Sequence, residues 1–111
     1  NAVTLRGDGY AFVADFDAGV KIIDVDPIPD AYVVNTVYTS GSARGIALSE
    51  NYLFVPCWDE GLQIIDVADV NSPSIVDTLY VPGYADGVFV DQQNAYVCAR
   101  DGGLRIFSLW E

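Results

Sequence analysis

Carboxylates, two thiols and a few aromatic and cationic side chains are the groups in this sequence that could do chemistry. The run Asp15-Phe16-Asp17-Ala18-Gly19 opens like a loop that wraps a hard cation. Calcium takes about six to eight oxygen ligands, and such a loop needs further oxygens and a closing Glu. The positions equivalent to Asp15 further along the chain are Cys57 and Ala99, so only Asp17, Asp59 and Asp101 recur, and turn capping is their expected role. Asp24, Asp66, Asp26 and Asp69 could serve as an acid and base pair only if a cleft brought two of them together. They sit at the ends of a recurring strand instead, where a carboxylate accepts hydrogen bonds from turn amides. No catalytic residue, metal ligand or cofactor site is expected, and the chain is read as non-enzymatic.

Cys57 and Cys98 stand in a chain without histidine, which removes the usual zinc sets and the Cys–His nucleophile. A disulfide needs a close and correctly aimed pair. These two fall one register step apart on neighbouring repeats and point in different directions, so two packed thiols are expected rather than a bridge, and they leave the compartment open. Sixteen acidic against five basic residues give a net charge of −11. Nucleic acid and anionic membranes need clustered Lys and Arg, whereas Lys21 is the only lysine; neither partner is expected. No apolar run approaches the roughly eighteen residues of a membrane helix.

What remains is a candidate ligand-binding set: Arg44, Trp58, Tyr84, Asp86 and Arg100, with Ser42 and Phe16 beside them. Aromatic faces and charged tips of this kind suit a sugar or another small polar molecule. Their positioning depends on an internal repeat. Tyr10-Ala-Phe-Val-Ala-Asp-Phe-Asp-Ala-Gly-Val-Lys-Ile-Ile-Asp-Val25 returns as Tyr52-Leu-Phe-Val-Pro-Cys-Trp-Asp-Glu-Gly-Leu-Gln-Ile-Ile-Asp-Val67, and again from Ala95 to Leu109. Gly19, Gly61 and Gly103 are spaced by 42 and 42 residues, the period of a four-stranded propeller blade.

Alternating apolar residues enriched in β-branched and aromatic types predict strands throughout. Each unit reads as four: A (2–5, 45–48, 87–90), B (10–14, 52–56, 95–99), C (20–25, 62–67, 104–109) and D (32–38, 74–81). The B to C hairpins place Gly19, Gly61 and Gly103 where the backbone turns left-handed. Pro27 and Pro29, then Asn71-Ser72-Pro73, fix the C to D turns. The fold class is therefore all-β, propeller blades of four antiparallel strands, with about two and a half to three blades present. One partial propeller domain spans 1–111, in units of about 1–42, 43–84 and 85–111, the last without its outer strand. In a propeller the D to A and B to C loops open on one face around the channel, which gathers the candidate set at a single mouth.

Gly61-Leu-Gln-Ile-Ile-Asp-Val67, followed by Asn71-Ser72-Pro73, resembles the LVIVD repeat, a β-propeller unit of bacterial and archaeal, often cell-surface, proteins. The first unit departs at Asp26-Pro27-Ile28-Pro29 and the third at Ile106-Phe107-Ser108. The resemblance implies a propeller and an extracytoplasmic location; it implies no agreed reaction.

The sequence begins at Asn1 and contains no Met, so a trimmed or excised stretch is expected. Closed propellers use about four to eight blades, and an open arc would leave apolar faces wet at both ends. A longer parent chain supplying further blades, self-association, or packing in a larger complex would cover them, and a structural and protein-interaction module, part of a larger propeller or assembly and meeting a protein partner or copies of itself, is the leading reading. Carbohydrate or small-molecule binding at the loop face is one alternative. The other is part of a propeller hydrolase or lyase whose catalytic residues lie on further blades.

Overall fold

The computed structural model describes residues 2–26 and 30–109, and every regular element among them is a strand. In chain order these are β1 (Ala2–Arg6), β2 (Tyr10–Ala14), β3 (Val20–Asp24), β4 (Tyr32–Val37), β5 (Ala47–Ser49), β6 (Tyr52–Pro56), β7 (Leu62–Asp66), β8 (Ser74–Leu79), β9 (Tyr84–Val90), β10 (Asn94–Arg100) and β11 (Gly103–Ser108). They form three antiparallel sheets, β1-β2-β3-β4, β5-β6-β7-β8 and β9-β10-β11. The all-β architecture of propeller blades expected from the sequence is the one adopted, as two blades of four strands and one of three. The turn expected at Pro27 and Pro29 lies outside the described residues.

Period-2 alternation gives each blade two distinct apolar faces. In the first blade the cross-strand pairs Phe12↔Ile22 and Ala14↔Val20 share one side, which we call the forward face. Val3↔Val13, Leu5↔Ala11, Ala11↔Ile23 and Val13↔Lys21 share the other, the back face. The second blade repeats this with Phe54↔Ile64 and Pro56↔Leu62 forward, and Leu53↔Ile65 and Val55↔Gln63 on its back. A register shift between Ile22 and Ile23 recurs between Ile64 and Ile65; such a bulge strengthens the local twist, here at the same repeat position in both four-stranded blades.

The core consists of the two seams where a forward face meets the next back face. Phe12, Ala14, Val20 and Ile22 pack with Leu53, Val55, Cys57 and Ile65 in the first seam. Phe54 and Leu62 pack with Ala95, Val97 and Ala99 in the second. Arg6 tethers the first seam from its edge, its Nη1 donating to the Val67 carbonyl at 2.8 Å while its guanidinium carbon lies 5.2 Å from the Phe12 ring centroid.

The hairpin glycines have the positive φ that the sequence pattern requires, +80° at Gly19, +81° at Gly61 and +76° at Gly103. A methyl group on Gly61 would overlap the Leu79 carbonyl of the neighbouring fourth strand, and one on Gly19 the Val37 carbonyl, whereas one on Gly103 would meet nothing within 4 Å. Gly103→Ala is therefore expected to lower stability by the left-handed backbone cost alone, about 1–2 kcal/mol. Gly61→Ala adds an overlap with a strand carbonyl and should cost clearly more, above about 2 kcal/mol; urea unfolding of the two variants side by side measures the difference.

Candidate binding site

Two hairpins carry an aromatic residue in the left-handed region, Phe16 at φ 46° and Trp58 at φ 56°. A non-Gly residue there costs roughly 1–3 kcal/mol, and each is held by a pair of backbone hydrogen bonds reaching the next blade. Phe16 donates to Ala43 O at 2.9 Å and accepts from Ala43 N at 3.0 Å; Trp58 exchanges the same pair with Ala85, both at 2.9 Å. These bridges clasp successive blades at the mouth. The equivalent residue of the third blade, Arg100, instead ends β10 paired to Tyr84, and the left-handed residue is Asp101 at φ 64°.

The clasps bring the five candidate residues together. The Arg44 guanidinium carbon lies 3.9 Å from the Trp58 ring centroid and 5.2 Å from that of Phe16. Tyr84 stacks on Trp58 with centroids 4.7 Å apart and planes at 23°. Arg100 approaches the same indole at 5.5 Å, and its Nε stands 3.6 Å from Asp86 Oδ2. Arg44 Nε also donates to Ser42 Oγ at 3.2 Å. Tyr84 and Asp86, expected on a loop, belong to β9.

The cluster draws Phe16 from the first blade, Arg44 and Trp58 from the second, and Tyr84, Asp86 and Arg100 from the third. The Arg44 guanidinium and the Tyr84 phenol both lie against the Trp58 indole. What the cluster does physically is strut three blades at their mouth, with cation–π contacts worth about 0.5–2 kcal/mol. The exposed Arg100–Asp86 pair adds little.

The carboxylates divide. Asp24 accepts from Asp26 N at 3.0 Å, Asp66 from Ala68 N at 2.9 Å and Asp69 from Asn71 N at 3.0 Å, the amide bonding expected of them. Asp17, Asp59 and Asp101 do not cap their turns: among the described residues no hydrogen bond reaches their side chains, and backbone bonds such as Glu60 N to Cys57 O at 2.9 Å close the hairpins. Among the described residues no three His, Cys, Asp or Glu side chains gather as a metal site. Asp91 caps the β9 to β10 turn; the Gln93 and Asn94 amides and the Tyr96 hydroxyl hold its carboxyl below the usual carboxylate range.

Both thiols are free. Cys57 is packed as expected, and burial pushes its pKa up to about 11, so it is an inert core residue. Cys98 corrects the expectation of two packed thiols: it is exposed, pairing with Leu104 on the forward face of the third blade. A cavity of about 250 Å3 between the second and third blades is lined by Tyr52, Phe54, Ile64, Asp77, Leu79 and Leu109. In the first seam the corresponding region holds Val70, a core residue whose carbonyl accepts from Asn35 Nδ2 at 3.4 Å. Among its described lining residues Asp77 is the one charged group.

The LVIVD repeat matches residues 2–27, 40–79 and 82–107. No curated protein matches the chain. Among solved structures, the crystal structure of the computationally designed Ika4 protein is similar over 98% of this chain with a TM-score of 0.78 at 12% identity. That likeness is one of fold, and this chain spans 65% of the Ika4 chain's length.

Arg44→Ala is expected to lower stability by about 1 kcal/mol and to change Trp58 emission, read by urea unfolding and fluorescence in a Trp110→Phe background. The Cys57 thiol is neutral when buried and its folded pKa, about 11, lies above the ordinary thiol value of 9.0. Its contribution to stability is therefore fully present below pH 9 and is lost as pH rises through 11. The unfolding midpoint should fall between those values, and Cys57→Ala should flatten that fall.

Proposed function

From the premise that this chain belongs to the LVIVD-repeat family, we propose that it is a non-enzymatic propeller module that works by protein contacts, with its open end faces as the principal contact surfaces. The observation that carries this reading is the exposure of positions whose repeat equivalents are core. Leu104 and Ile106 are 56% and 55% exposed, whereas Val20, Ile22 and Leu62 at the same repeat positions are wholly or largely buried. At the other end Val3 and Leu5 are 64% and 69% exposed on the back face of the first blade. Isolated exposed apolar residues are ordinary, but two contiguous faces built like seams indicate contact surfaces.

Magnitudes say what kind of contact these faces support. Full burial of a large apolar side chain stabilises by about 1.5–3 kcal/mol, and roughly half of that is still available at each exposed position. Six such residues, Phe89, Leu104, Ile106, Val3, Leu5 and Val33, offer on the order of 5–10 kcal/mol when one seam closes. Association costs an estimated 4–15 kcal/mol, so a single seam is weak, while two seams closed in one ring share one such cost and are stable. The mouth cluster, already satisfied within the chain, is secondary in this reading.

Leu104→Asp/Ile106→Asp should keep the unfolding free energy of the fold within about 1 kcal/mol of the parent chain, because both positions are more than half exposed and surface substitutions have small effects. The double variant should lose the concentration-dependent association of the parent chain in sedimentation velocity, whereas Trp58→Ala should retain it. Association untouched by the face variant but abolished by Trp58→Ala would transfer the working surface to the mouth.

A further inference from the structure

Gln63 on β7 is the one polar side chain buried among the described residues, at 3% exposure, and its Oε1 has no hydrogen-bond partner among them. Thr39 Oγ1, on the connection from β4 to β5, is closed off from solvent and unpartnered in the same way. An unmet polar group inside a packed seam is costly, and native folds rarely leave one. Turning the Gln63 amide over would only exchange a buried oxygen for a buried nitrogen.

The two groups come from opposite sides of the first seam and meet at Cys57. Gln63 pairs with Val55, so on the back face of the second blade its side chain lies diagonally beside that of Cys57. The Thr39 hydroxyl borders the same thiol: burial pushes the Cys57 pKa up, and the Thr39 hydroxyl and the Gln63 backbone amide beside the sulfur hold part of that rise back. The thiol does not serve either oxygen, because its own hydrogen is directed at the Val55 carbonyl, 3.3 Å away. Two unmet oxygens thus flank one sulfur in a core that also holds Val20, Val37 and Val55.

We infer that one water molecule is bound in the first seam between Thr39 Oγ1 and Gln63 Oε1, beside Cys57, and that it joins the first blade to the second. Water has the chemistry that both oxygens need. It donates to Gln63 Oε1 and either donates to or accepts from the Thr39 hydroxyl, and a buried water typically takes about two to four such partners. A hard cation takes about six or more oxygen ligands, and an anion would face the negative end of the Gln63 carbonyl. Both groups lie within the chain's own first seam, so what covers the end faces does not enter.

The second seam is a built-in comparison. At the repeat positions of Thr39 and Cys57 it has Val81 and Ala99, both buried, and in place of Gln63 it has Arg105, which is only partly buried. Where the hydroxyl is absent, the long polar side chain keeps its contact with solvent. Where both polar groups are sealed in, the water meets the need of each. The Thr39 connection then passes Gly41, packed so close to the Cys57 carbonyl that a Cβ would stand 2.5 Å from it, and delivers Ser42 and Arg44 to the mouth.

A crystal structure of the parent chain should show a water within hydrogen-bond distance of both oxygens. A seam without one, or a direct hydrogen bond between Thr39 and Gln63, would overturn the proposal. Urea unfolding of Thr39→Val, Gln63→Met and the double variant gives a second readout in solution. Val is the second seam's own residue at this position, so Thr39→Val is expected to fold, and circular dichroism checks all three. Each single variant leaves the water and the other oxygen unmet and should raise the unfolding equilibrium constant about fivefold. The double variant, which removes both partners, should raise it no further than either single one, instead of by their product. In a dry seam, removing an unmet oxygen would stabilise the fold, so a raised urea midpoint for either single variant, or effects that simply multiply, would also overturn the proposal.

Discussion

Everything in this chain follows from one packing constraint: a propeller blade is apolar on both faces and must be sandwiched. A sheet with one wet side would alternate apolar with polar residues, but β2 and β6 alternate apolar with apolar, Phe12 and Ala14 forward against Ala11 and Val13 back. The only blade here with both neighbours is the second, and it contributes more of the core than either neighbour: Leu53, Val55 and Ile65 on one side and Phe54 and Leu62 on the other are all nearly inaccessible. The first and third blades satisfy the constraint on one side each.

The mouth serves the same constraint. Left-handed Phe16 and Trp58 are backbone conformations that local energetics disfavours, and they persist because each completes two hydrogen bonds to the blade that follows. Arg44, laid over Trp58, and Tyr84, stacked on it, then lock three blades in their relative positions. Side chains with the chemistry of a ligand site are thus engaged with one another. Arg6 performs the equivalent tethering at the opposite edge of the first seam.

Much of this was legible in the sequence because the repeat reports both period and role. The spacing of Gly19, Gly61 and Gly103 and the recurrence of Ile-Ile-Asp-Val located the blades, their hairpins and the missing fourth strand of the last one. The five mouth residues could be grouped because propeller connectivity brings B to C and D to A loops to one side. Three things were not legible. Pairing of Trp58 with Arg44 and Tyr84 depends on rotamers and on the inter-blade bridge, which no local pattern encodes. Asp17, Asp59 and Asp101 recur as though they were caps, yet backbone amides and carbonyls close those turns by themselves. The position of Cys98 was misread because strand alternation fixes which side it faces but not whether a neighbour covers that side.

The central claim is that the end faces are seams in want of partners, so the mass of the native particle tests it most directly. Light scattering over a dilution series, beside the intact mass of the denatured chain, should give a native particle heavier than a single 12.0 kDa chain. A native particle that stays at 12.0 kDa at every concentration, folded and with both faces bare, would contradict it.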